Sequence, residues 1–149
     1  ESDGTWVGGV PVEYNAAPLH ADYAAHTRRL NTDSIGLAMC GMHGAREAPF
    51  DAGRYPLTKH QETQFVKMVA HYAKKYDIPV TRETILTHAE VQPTLGVEQR
   101  GKWDICWLPG MLNVGDPIQV GDILRLRVEA VMKPDRKWPS ISRLFRWRS

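Results

Sequence analysis

Five stretches of this chain carry an apolar pattern regular enough to predict an element. Residues 4–14, GTWVGGVPVEY, set Trp6, Val7, Val10 and Val12 among glycines. Pro11 cannot donate to a ladder, so the pattern predicts a short edge strand or hairpin. Residues 34–41, SIGLAMCG, are continuously apolar between the polar Asn31, Thr32 and Asp33 and a Gly-rich stretch, which predicts a buried central strand. Thr58 opens the clearest helix: with Gln61 it forms a capping box, and Phe65, Val69, Tyr72 and Tyr76 recur at helical spacing to about residue 76. Pro79 separates that helix from residues 83–88, where Ile85 and Leu86 mark a second short strand ending in THAEV. Residues 121–132, with Gly121 and Asp122 as the start signal and Leu124, Leu126, Val128 and Val131 apolar, predict a last helix. Residues 15–32, 41–57 and 92–117 read as loops, and the order of elements is that of an α/β fold.

Composition narrows this without changing it. At 149 residues, one domain is the expectation, and 42% apolar with 24% charged residues excludes a disordered, collagen-like or coiled-coil chain. No apolar run reaches the roughly 18 to 20 residues that span a bilayer, and no charged leader runs into an apolar stretch at the start, so no secretion signal is visible. Charge is uneven. From Lys133 onward, Lys133, Arg136, Lys137, Arg143, Arg146 and Arg148 face one acid, Asp135, so this +5 tail leaves a body of −3 in a net charge of +2. With Trp138, Phe145 and Trp147, the tail reads either as an interfacial segment drawn to anionic lipid or envelope polymer, or as a solvated terminus. The body has no stripe for nucleic acid, so no nucleic-acid partner is expected. Cys40 and Cys106 are too few for a disulfide scaffold and read as free thiols, Cys40 as a small core residue.

Two residues stand out chemically. His88 ends the THAEV strand and Asp104 follows in GKWDI; imidazole and carboxylate are both zinc donors. Taken alone they fit equally a hydrogen-bonded histidine and a surface aspartate. Glu90, two residues after His88, would share its face in an extended segment, where a carboxylate can orient the imidazole or act as a base. Cys106 is an alternative to Asp104 as a donor. His60 and His71 fall on the polar side of the main helix and read as surface residues, with His43 in the Gly-rich loop.

The segments LNTDSIGLAMCG and ILTHAEVQPTLGVEQRGKWDI, with the capped helix between them, resemble the zinc-dependent N-acetylmuramoyl-L-alanine amidases that share a fold with peptidoglycan recognition proteins, in particular phage and prophage endolysins. The resemblance covers roughly residues 2–110 and implies a central mixed β-sheet flanked by helices. It divides the chain into an amidase-like domain over 1–112 and a C-terminal helix with the basic aromatic tail over 113–149. It implies a Zn2+ cofactor with His88 as second and Asp104 as third ligand, and Lys102 as the donor that steadies the oxyanion. Substrate contacts would come from His26 and from Asn31, which reads equally as a turn residue; Trp103 and Trp107 flank the site motif and read either as groove walls or as core. The family's first zinc histidine lies upstream of the segment matching ESDGTWVGGV. Either a preceding segment is missing or the site is incomplete, and Glu1 in place of Met favours the former. As a replacement ligand, His26 is the first candidate and His20 the next.

The implied function is hydrolysis of the amide between N-acetylmuramic acid and L-alanine in peptidoglycan, acting at the bacterial cell wall, with the route to it left open by the sequence. The alternative is a module of the same fold that binds peptidoglycan without cutting it, and the missing first ligand supports it. An unrelated α/β domain with a chance GKWD match is the third reading.

Overall fold

The computed structural model describes residues 3–133; the expectations for the tail from 134 onward lie outside the described residues. A 3-10 turn at Val12–Asn15 is followed by α1 (Lys59–Lys75), α2 (His88–Leu95) and α3 (Pro117–Met132). None of these is long and apolar enough to cross a membrane.

The expected central mixed β-sheet is not there. Among the described residues there is no strand, only an isolated antiparallel bridge between Arg46 and Asp51. The physical reason is that a strand is made by its partner's ladder, and an apolar run supplies only a face. Residues 34–41 carry no regular ladder: the Cys40 carbonyl accepts from the Gln61 side chain at 2.7 Å and the Met42 amide donates to Tyr55 at 2.6 Å. Cys40 itself is exposed. Around Pro11 the chain turns into the 3-10 helix, leaving Trp6, Val7 and Val10 exposed.

The second expected strand fails at its end for a local reason. Thr87 and Glu90 have the T-x-x-E spacing of a capping box, and the Thr87 amide donates to Glu90 Oε2 at 2.8 Å. THAEV therefore starts a helix, α2, which Gly96 closes at φ 69°, a left-handed cap that favours glycine.

α1 is the best-read element. Thr58 accepts from the Gln61 amide at 3.1 Å, and the Gln61 side chain accepts from the Thr58 amide at 3.0 Å. Its most buried stripe is Glu62, Val66, Ala70 and Ala73, and the expected stripe Phe65, Val69, Tyr72 and Tyr76 lies beside it, facing a cleft. Small Ala70 lets α3 approach, and Val66, Ala70, Leu108, Val120, Ile123, Leu124 and Val128 form the core. α3 begins earlier than expected because Asp116 caps it through the Gln119 amide at 3.0 Å and Pro117 occupies the first turn.

A buried ion pair joins α3 to α2. Arg125 Nη2 meets Glu90 Oε1 at 2.7 Å, with the Glu90 side chain 0% and the Arg125 side chain 7% exposed. Arg125 also donates to the Ile85 carbonyl at 2.7 Å and to Asp122 at 2.8 Å. A Cβ on Gly121 would run into the Glu90 carboxylate, so glycine is what admits it. A second ion pair, Arg127 with Glu62, joins α3 to α1. Glu90→Ala leaves the Arg125 guanidinium with only Asp122 and the Ile85 carbonyl and uncaps α2, and is expected to cost about 3 kcal/mol. Chemical denaturation checks this: a loss below about 1 kcal/mol would mean that the network adds nothing to stability.

Candidate active site

His88 is the first residue of α2, and its helix is tied to the segment that carries Asp104. The Ala89 amide, one of the donors a helix leaves free at its N-terminus, donates to the Asp104 carbonyl at 2.8 Å. Beyond Asp104 the chain dives inward. Leu108 has no exposed surface, the Gly115 amide holds the Cys106 carbonyl at 2.8 Å, and the Trp107 indole donates to the Met111 carbonyl at 2.8 Å. Asp104 is thus presented by a segment anchored on both sides.

The result is a close pair. His88 Nδ1 lies 3.3 Å from Asp104 Oδ2, with side chains 19% and 63% exposed. The other ring nitrogen, Nε2, is 3.0 Å from Gln99 Oε1. Both residues line a cleft of about 1170 Å³, together with Trp103 and His26.

His26 comes to the cleft on a loop closed by Asn31, whose Oδ1 accepts from the His26 amide at 2.9 Å and the Thr27 amide at 2.8 Å. The His26 ring is engaged at both nitrogens, Nδ1 with Thr27 Oγ1 at 2.9 Å and Nε2 with Ser34 Oγ at 3.3 Å. Its ring lies against Gly36, where any Cβ would collide with it. Burial holds His26 below the ordinary imidazole value and the neighbouring His88 adds to this, while the Ser34 backbone opposes. The neutral ring is a wall of the cleft with its lone pair and proton already spent. His20 is stacked on Tyr14 with ring centroids 3.9 Å apart, and it is exposed, as are His43, His60 and His71.

Other expected site residues are placed elsewhere. The Glu90 carboxylate is committed to Thr87 and Arg125; on a helix, residues two apart diverge by about 200°, so the shared face expected of an extended segment does not arise. Glu90 reaches His88 only by capping the helix that begins with it. Asn31 does what a turn residue does. Lys102 is exposed, two residues before Asp104, and is not among the residues lining the cleft. Among the described residues no group of three or more His, Cys, Asp or Glu side chains converges to hold a metal.

Gln99 escaped the sequence reading. It is buried at 4% exposure, yet a lone glutamine in VEQRGKWD has no periodicity or partner spacing to mark it. Arg125 had a faint signal, being a charge placed four residues from Gly121 on the face that α3 buries.

Residues 1–109 match the sequence profile of the N-acetylmuramoyl-L-alanine amidases, and the chain belongs to that family. Membership implies peptidoglycan as the substrate. No curated protein and no solved structure shows a significant match.

The two thiols report on the Asp104 segment. Cys40 is exposed and Cys106 is buried, its thiol pushed up to about 11 by burial first and then by nearby carboxylates that include Asp104. A mildly alkaline thiol titration of the native protein should find one fast-reacting cysteine, Cys40, and a second only on unfolding. Two fast thiols would mean that the anchor behind Asp104 opens readily.

Proposed function

We infer that the chain is a zinc-dependent amidase that hydrolyses the bond between the lactyl group of N-acetylmuramic acid and the L-alanine of the stem peptide, acting at the bacterial cell wall as endolysins do. The observation that supports the metal is the 3.3 Å between His88 Nδ1 and Asp104 Oδ2. Zinc bonds of about 2.0–2.2 Å at a tetrahedral angle set two donors about 3.3–3.5 Å apart, so this pair fits two corners of such a site. A catalytic zinc has three protein ligands, and in this reading the third comes from outside the described residues. When bound, zinc would polarise the scissile carbonyl and acidify a water near neutral pH.

The rest falls to the chain. Trp103 and His26 wall the cleft against which the stem peptide lies, and the closed loop of Asn31 keeps His26 in place. Lys102, exposed on the loop that delivers Asp104 and outside the cleft lining, would have to swing inward to bring its ammonium to the carbonyl oxygen as it gains charge. The leaving amine takes a proton from the attacking water. The basic, aromatic tail from Lys133 would hold the protein to an anionic envelope surface.

A second reading, a peptidoglycan-binding module without hydrolysis, is favoured by the lack of a third donor among the described residues. Metal analysis and release of stem peptide from purified peptidoglycan separate the two. The amidase reading expects about one zinc per chain, lost in His88→Ala and Asp104→Ala together with hydrolysis. Wild-type protein that binds peptidoglycan but releases nothing supports the module. Lys102→Ala is expected to retain zinc and fold while turnover falls about 10²- to 10³-fold. Unchanged turnover would assign the oxyanion to another donor.

A further inference from the structure

We propose that Gln99 is the positioning residue that fixes the tautomer of His88, leaving Nδ1 as a bare lone pair turned toward Asp104. The carboxamide of Gln99 is pinned by two acceptors: its Nε2 donates to the Arg28 carbonyl at 3.1 Å and to the Val97 carbonyl at 3.2 Å. Carbonyl oxygens only accept, so both amide protons are spent on them and the amide cannot turn over without setting its oxygen against two others. Oε1 is therefore the atom that meets His88 Nε2 at 3.0 Å, and Nε2 must carry the proton. In the neutral ring the other nitrogen then has none.

That unprotonated Nδ1 faces the Asp104 carboxylate at 3.3 Å. Two acceptors at this distance repel unless a cation lies between them, either a proton that makes the ring an imidazolium or a metal ion. Gln99 thus does for His88 what an outer partner does for a ligating histidine, setting which nitrogen is free, and does so with a neutral amide. It also joins the two halves of the cleft. The Arg28 carbonyl it holds belongs to the loop that carries His26, the Arg28 guanidinium pairs with Glu98 at 2.6 Å, and the Gln99 backbone N–H donates to the Gln92 side-chain oxygen on α2 at 3.1 Å.

The part concerning metal affinity rests on the zinc reading above; the tautomer does not. Long-range proton–nitrogen NMR of the metal-free, full-length chain, well above the imidazole titration range, should show His88 as the Nε2–H form. Gln99→Met, close in volume but unable to accept from His88, should shift His88 toward a mixture of tautomers and weaken zinc binding about 10- to 100-fold in a chelator competition. His88 found as the Nδ1–H form in the wild type would overturn the proposal whether or not the variant folds. A folded Gln99→Met protein that keeps both tautomer and zinc affinity would overturn it too. A wild-type chain that takes up no zinc but shows the Nε2–H form, lost in Gln99→Met, would sink the metal reading and uphold the tautomer assignment.

Discussion

The ion pair between Glu90 and Arg125 is the interaction on which the arrangement of this protein turns. Removing two charges from water is costly, and the burial is tolerable only because almost every polar atom involved has a partner. Glu90 divides its oxygens between Arg125 and the Thr87 amide, and Arg125 divides its donors among Glu90, Asp122 and the Ile85 carbonyl. The same carboxylate therefore starts α2, fastens it to α3 and fixes the approach to it, with Gly121 cleared to admit it. His88 is the first residue of the helix so fastened, so that network sets where its backbone lies.

Asp104 reaches His88 by a different route. Its backbone carbonyl is held by the N-terminus of α2, and Leu108, four residues on, is sunk among Val66, Val120 and Val128. Helix termini leave donors to be satisfied, and here one of them, the Ala89 amide, binds the stretch of chain that carries Asp104. Gln99 closes the third side, linking the same helix to the loop of His26. A side chain presented by a loop is placed precisely only when that loop is held at several points, and the loop of Asp104 is held by a backbone amide of α2, by Gln99 and by a core leucine.

How much of this was legible varied with the range of the forces involved. The α1 start was readable because Thr58 and Gln61 satisfy each other within one turn of chain. Thr87 and Glu90 carry the same T-x-x-E spacing, but the apolar Ile85 and Leu86 before them read as a strand. His88 and Asp104 were singled out by residue type and by a resemblance now matched by membership of the amidase family over residues 1–109. Gln99 was not, since its importance lies in three partners scattered from residue 28 to residue 97.

The sequence by itself determined what is local: the cap of α1, the presence of helices at α1 and α3, the charge imbalance of the tail, and the residue types able to bind a metal. Tertiary structure decided what depends on partners distant in the chain. Residues 34–41 have the composition of a central strand but acquire no ladder, because pairing belongs to two segments and apolarity to one. Glu90 has the charge of a catalytic base but is neutralised by an arginine 35 residues away. His88 has two ring nitrogens of equal standing until Gln99 takes one of them, and the carboxylate of Asp104 is left facing the other.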